Sequence, residues 1–203
     1  MEPIKTIKGI AAPIRRPDID TDAIIPKQFL KSILRTGFGK NLFNDWRYVD
    51  GDEKRPNPEF VLNQPRYKGA EILVGVGTFG IGSSREAAPW ALVDYGFRCV
   101  IAPGFGDIFF NNSQKNGLLL CQVKPEQADQ LIAEIEANPG LELKVDLAEQ
   151  VIASPKGGSI PFTIDSETKA RLLEGLDDIG ITLKHDTEIG RFEASRGAAR
   201  PWL

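Results

Sequence analysis

Between residues 71 and 137 the chain alternates apolar runs of strand length with segments of helical character, and this limits its possible folds more than any other feature. Residues 71–76, 98–102 and 118–123 read as strands, and residues 85–95, 107–116 and 125–137 read as helices. Gly96 and Gly117 stand where the first two helices stop, and Pro125 stands at the first position of the third. Leu131, Ile132 and Ile135 give that third helix an apolar face. Residues 4–12 supply an earlier strand. Residues 141–145, 149–153 and 160–164 make a strand-rich section, followed by a helix over 168–176 and helical or irregular segments to the end. Alternation followed by a run of strands implies an α/β fold. We expect a compact mixed β-sheet with flanking helices, in a single domain spanning 1–203.

One turn in this framework carries chemistry. Gly80-Ile81-Gly82-Ser83-Ser84-Arg85-Glu86 follows the apolar run Ile72, Leu73, Val74 and puts two hydroxyls, a guanidinium and a carboxylate in consecutive positions. A strand ending in a glycine-rich turn exposes backbone N–H groups to an anion. Arg85 can fork onto a carboxylate, and a hydroxyl held among such donors is more acidic than in water. The same residues admit a structural role, because Ser83 and Glu86 have the S-x-x-E spacing of a capping box. Pro89 requires that helix to start within a few residues of it. The overlapping Gly75-Val76-Gly77-Thr78-Phe79-Gly80 fits a dinucleotide fingerprint, but Ile81, Gly82 and Ser83 separate its third glycine from the helix. The strand over 98–102 also runs into Pro103-Gly104 without the acid that would bind a ribose. NAD is therefore not expected.

Composition excludes other classes. A net charge of −3 argues against a nucleic-acid surface, and 41% hydrophobic residues suffice for a core. Cys99 and Cys121 both lie in apolar runs and read as buried free thiols; two thiols do not hold an iron–sulfur cluster by themselves. His185 is the single histidine and has no cysteine near it, so no metal ligands are assigned. No run approaches the ~18 apolar residues of a membrane span, and Met1-Glu2-Pro3-Ile4-Lys5 lacks the form of a signal peptide. A cytoplasmic protein with no membrane contact is expected. Asp18, Asp20 and Asp22 suggest a calcium loop, but Ala23 and Phe29 occupy the positions where glycine and glutamate are required. They read as a turn and cap, or as a polar site wall. A short helix over 26–34, interrupted by Gly37 and Gly39, leaves Lys31, Arg35 and Thr36 on or beside a flexible loop. Residues 40–66 read as a long irregular excursion, either a lid or binding segment or a solvated surface loop. Asn111, Asn112, Ser113 and Asn116 crowd one short helix, where they can bond a loop, face a site or cap an exposed end.

Several motifs occur together and in order: Asp20-Thr21-Asp22-Ala23-Ile24-Ile25-Pro26, Arg35-Thr36-Gly37-Phe38-Gly39, and Gly82-Ser83-Ser84-Arg85-Glu86 with Ala88-Pro89-Trp90-Ala91-Leu92. With the stretch over 109–120 and Leu176-Asp177-Asp178-Ile179-Gly180-Ile181-Thr182-Leu183, they resemble the small-subunit family of 3-isopropylmalate dehydratase from about residue 4 to the end. The resemblance implies a swivelling β/β/α domain like domain 4 of aconitase, with a helical C-terminal extension. It implies a hydro-lyase of leucine biosynthesis that interconverts 2- and 3-isopropylmalate, small dicarboxylates, as a heterodimer with a large subunit. That partner would carry a 4Fe–4S cluster whose iron acts as the Lewis acid, with no cofactor on this chain. Ser83 takes the position of the catalytic base and Arg85 that of the carboxylate-binding arginine, with Ser84 as a hydrogen-bonding neighbour. The segment over 29–36 corresponds to the one that sets substrate choice, which makes Lys31 and Arg35 substrate-binding candidates. Ala87 departs from the family, standing where many relatives carry histidine, and Ile81 replaces a commonly small residue. A sister dehydratase for another 2-alkylmalate or homoaconitate, and a non-catalytic anion-binding module, are the alternatives.

Overall fold

The computed structural model describes residues 1–30, 36–200 and 202. Its strands are β1 (Thr6–Ile14), β2 (Ile19–Asp20), β3 (Ile72–Gly75), β4 (Thr78–Ile81), β5 (Cys99–Ala102), β6 (Gly104–Phe105), β7 (Leu119–Gln122), β8 (Glu142–Asp146), β9 (Val151–Ser154) and β10 (Gly158–Pro161). Its helices are α1 (Thr21–Ile24), α2 (Asn44–Arg47), α3 (Ala87–Tyr95), α4 (Asp107–Lys115), α5 (Pro125–Ala137), α6 (Ser166–Glu174), α7 (Asp178–Leu183) and α8 (Asp186–Ala199).

The larger sheet has the order β10-β9-β8-β1-β3-β5-β7. From β1 to β7 the pairs are parallel, and from β1 to β10 they are antiparallel. Composition follows this division. β3 and β5 are buried along their whole length, as strands covered on both faces must be, whereas β8 alternates between exposed and buried residues. Helix α5 packs across β1, β3 and β5 with Leu131, Ile132 and Ile135 buried. Past β10 the chain reaches β7 through an antiparallel bridge between Gln122 and Thr163, so the two ends of the strand order meet.

The mixed sheet with flanking helices agrees with the expectation. The unexpected part is a second, three-stranded parallel sheet in the order β2-β4-β6. Gly75 ends β3 and Gly80 lies inside β4, so the apparent dinucleotide fingerprint is a strand, a turn and another strand. Helix α3 starts at Ala87, not at 85, which puts Pro89 at its third residue, where no intrahelical N–H partner is needed. Of the helix expected over 26–34, Lys27–Phe29 form a 3₁₀ turn, and 31–35 lie outside the described residues. The excursion over 40–66 is exposed over much of 49–59 but anchored elsewhere. It buries Phe43, Phe60 and Leu62, and Asn63 Nδ2 ties it together by donating to the carbonyls of Arg47 (2.6 Å) and Asn57 (2.8 Å).

The small sheet depends on close backbone approach. Gly80 has φ +76°, and a Cβ there would collide with the ring of Phe109 on α4. Gly80→Ala should therefore lower stability by at least ~1–3 kcal/mol from backbone strain alone. Urea unfolding checks this: the midpoint should fall with the slope unchanged.

Candidate functional site

Parallel pairing of β2 with β4 sets Asp20 opposite Ile81, so the residues that follow each strand emerge side by side. From β2 these are Thr21 and Asp22, on the first turn of α1. From β4 they are Gly82, Ser83, Ser84 and Arg85, ahead of α3. Asp20 caps α1, its Oδ1 accepting from the Ala23 N–H at 2.7 Å. That cap turns Thr21 inward, where it is buried, and leaves Asp22 at the surface.

Two contacts join the strand ends. The Thr21 hydroxyl donates to the Ser83 carbonyl at 3.0 Å, and its oxygen lies 3.3 Å from Ser83 Oγ. With its one proton on that carbonyl, Thr21 can serve Ser83 Oγ only as an acceptor. Arg85 forks onto Asp22: Nη2 donates to Oδ2 at 2.8 Å and Nη1 donates to Oδ1, while Nη1 also donates to the Ile25 carbonyl at 3.3 Å. The Arg85 side chain is 16% exposed and that of Asp22 is 54% exposed. Of five guanidinium N–H groups, three are thus engaged. Nε–H and the second Nη2–H have no partner among the described residues, and they share one edge. That edge has the geometry to receive a second carboxylate.

The S-x-x-E spacing does not make a capping box. Glu86, not Ser83, stands at the N-cap of α3, in helical geometry and without a side-chain cap bond. Ser83 and Ser84 are exposed and free of that structural duty. The turn offers fewer free backbone donors than expected, because the Arg85 N–H folds back onto the Ser83 carbonyl at 2.8 Å. Ser83, Ser84 and Arg85 therefore come together, and Thr21 and Asp22 join them. Of the aspartate cluster, Asp20 makes the expected cap and Asp22 pairs with Arg85. Lys31 and Arg35 lie outside the described residues. Asn116 faces the core side: its Oδ1 accepts from Trp90 Nε1 at 2.9 Å, which ties α4 to α3.

A cleft of about 380 Å³ lies elsewhere, between the end of β1 and the 57–67 stretch, lined by Arg15, Arg16, Phe60 and Tyr67 among others. Arg15 is held there by Glu136, and Arg16 lies over the Trp46 ring at 4.4 Å. The Glu136 carboxyl is held below its ordinary range, chiefly by the hydrogen bond from Arg15.

Comparison with known proteins bears on this arrangement. Residues 1–126 match the aconitase C-terminal domain family and 129–166 match a model described as LeuD_N. Residues 178–203 match the C-terminal domain of the 3-isopropylmalate dehydratase small subunit. The chain is 56% identical over 210 residues to the 3-isopropylmalate dehydratase small subunit of Neisseria meningitidis, covering 100% of this chain and 99% of that one. It is 55% identical to the corresponding protein of Delftia acidovorans, covering 100% and 97%. The crystal structure of 3-isopropylmalate dehydratase from Methanocaldococcus jannaschii matches with a TM-score of 0.66 at 26% identity, over 92% of this chain and 98% of that one.

The Thr21 contact is testable apart from any activity. Thr21→Val removes one buried hydroxyl and should cost about 1 kcal/mol. Thr21→Ser keeps that hydroxyl and should recover most of the hydrogen-bond loss. Denaturant titration of the two variants beside the parent chain measures the difference.

Proposed function

The chain belongs to the small-subunit family of 3-isopropylmalate dehydratase, and on that premise we propose that it joins a large subunit to interconvert 2-isopropylmalate and 3-isopropylmalate. The observation that carries this reading is the Nε/Nη2 edge of Arg85, without a partner among the described residues, beside an exposed Ser83 that caps no helix. Dehydration of an alkylmalate removes a proton from a carbon next to a carboxylate, and negative charge builds on that carboxylate. The Nε/Nη2 edge of Arg85 binds it and stabilises the charge as it develops. Asp22 fixes the guanidinium plane from the adjacent Nη1/Nη2 edge, so little is lost in orienting it.

Ser83 is the base. A serine oxygen takes up a proton only if its own proton has left, and its charged form needs donors. Thr21 is placed to be one. Rotation of its hydroxyl from the Ser83 carbonyl to Ser83 Oγ converts it from acceptor to donor without movement of either strand. Ser84 lies next in the chain, exposed, as a further hydroxyl for the substrate. Lys31 and Arg35 complete the substrate contacts in this reading.

A 4Fe–4S cluster does not fit this chain's residues. Cys99 and Cys121 are its only cysteines; both are fully buried on β5 and β7, with their sulfurs 3.8 Å apart. Burial holds the Cys121 thiol well above its ordinary range, the reverse of what a thiolate ligand requires. Among the described residues no group of three His, Cys, Asp or Glu side chains could hold a metal ion. We place the cluster on the large subunit. No helix among the described residues is long and apolar enough to cross a membrane. Residues 1–203 act in this reading as one swivelling domain with α7 and α8 as its extension.

Mixing the purified chain with a cluster-bearing large subunit tests the assignment. Isomerisation should need both chains, and failure of the mixture to turn over isopropylmalate would remove it. In that assay Ser83→Ala should lower kcat by roughly 10²–10⁴-fold with little change in melting temperature. Arg85→Lys keeps the charge but loses the planar fork, so KM should rise at least ~10-fold. Steady-state kinetics separate the two effects.

A further inference from the structure

We propose that the cleft at the end of β1 is a second ligand site, built for a small organic monocarboxylate with a short aliphatic body and separate from the turn that carries Ser83. Its volume of about 380 Å³ lies within the range of small-molecule sites. Pro13 and Ile14 bring it to the carboxyl end of β1, the strand at which the parallel half of the larger sheet meets the antiparallel half. In open α/β sheets, crevices outside the carboxyl ends of strands are where ligands sit.

The Tyr67 phenol points to an occupant. The residue is 1% exposed and lines the cleft, and its hydroxyl has no hydrogen-bond partner. A hydroxyl withdrawn from water without a partner is costly, and such groups are almost always satisfied. The charged side chains that act on it, Arg66 and Glu136, both line the cleft, so its hydroxyl end faces that space. Burial holds the phenol above its ordinary range; it keeps its proton and offers a donor.

The surrounding charge selects an anion. Glu136 engages only Nε and Nη2 of Arg15, which leaves Nη1. Gln64 engages only Nε of Arg66, at 2.9 Å. Arg16 donates no hydrogen bond among the described residues, and its guanidinium is held 4.4 Å from the Trp46 ring centre. Glu59 and Glu136 are the carboxylates of the lining, so three cations stand against two anions and a single negative charge balances them. Ile14 and Phe60, both buried, give the cleft an apolar wall. A carboxylate head on the guanidiniums and the phenol, with its aliphatic body on that wall, satisfies every part of this lining.

Amide chemical shifts of the full chain, titrated with 4-methylpentanoate, test the site. Saturable shifts should centre on residues 14–16 and 60–67. Arg16→Ala should weaken binding at least ~10-fold. Tyr67→Phe should weaken it about fivefold and leave the melting temperature of the unliganded chain unchanged or raised, because the hydroxyl it removes has no partner there. Acetate, which leaves the wall uncovered, should bind at least ~10-fold more weakly than the probe. No saturable shift up to about 10 mM, or parent-like affinity in both variants, overturns the site. A lowered melting temperature in Tyr67→Phe with unchanged affinity overturns it too, since the phenol then serves the fold through water. Tighter binding of succinate or inorganic phosphate than of 4-methylpentanoate overturns the ligand class.

Discussion

Strand β1 lends residues 11–14 to a parallel ladder and residues 6–10 to an antiparallel one, and the arrangement of the larger sheet follows from that division. A parallel ladder needs crossover connections, so helices must lie over it and both of its faces are dry. That accounts for the uninterrupted apolar runs of β3 and β5 and for α5 lying across them. The antiparallel half needs no crossovers and keeps one wet face. The chain then leaves β1 past Pro17, where a Cβ on Gly77 would come within 2.9 Å of the Pro17 Cα. This contact sets β2 close to β4, and the paired ends of those two strands deliver the site. The position of Ser83 is thus fixed by sheet geometry several residues away.

The sequence made the large sheet and most helices legible because they repeat a period. Pro125–Ala137 agrees with the expected helix end for end, since Pro at its start and a clear apolar face leave few alternatives. The small sheet was not legible. β2 and β6 have two residues each, too few for any alternation, and their partners are distant in the chain. The excursion over 40–66 looked solvated because polar residues and prolines dominate it, but buried aromatic and aliphatic anchors decide its course, among them Phe43 and, just beyond it, Tyr67. Ser83 and Arg85 were legible as a motif, whereas the Thr21 contact needed the β2–β4 register. Asp94 gave no local signal at all: an acid in the last turn of a helix opposes the helix dipole, and only its two long-range N–H partners account for it.

Charge is distributed unevenly over the candidate site. Asp22 occupies one edge of Arg85, and the adjacent Nε/Nη2 edge is unmatched among the described residues, so a fixed carboxylate and an incoming one need not compete. A guanidinium divided in this way keeps its orientation when no ligand is present. A lysine ammonium, with three donors about one axis, has no equivalent pair of edges. This favours arginine here on geometric grounds alone, apart from any resemblance to other proteins.

The bridge from Gln122 to Thr163 has a consequence for how the molecule behaves in a crowded solution. An open sheet of seven strands ends in two rows of unpaired peptide groups, each a template for another chain. Here the backbone beyond β10 turns towards β7, and Pro161 removes one donor from the outermost strand. The bridge covers the rim at one point and Pro161 blunts it at another, which gives a stray β-strand less backbone to join. Such a rim suits a chain that must meet one specific protein while rejecting others, because association is then left to side chains.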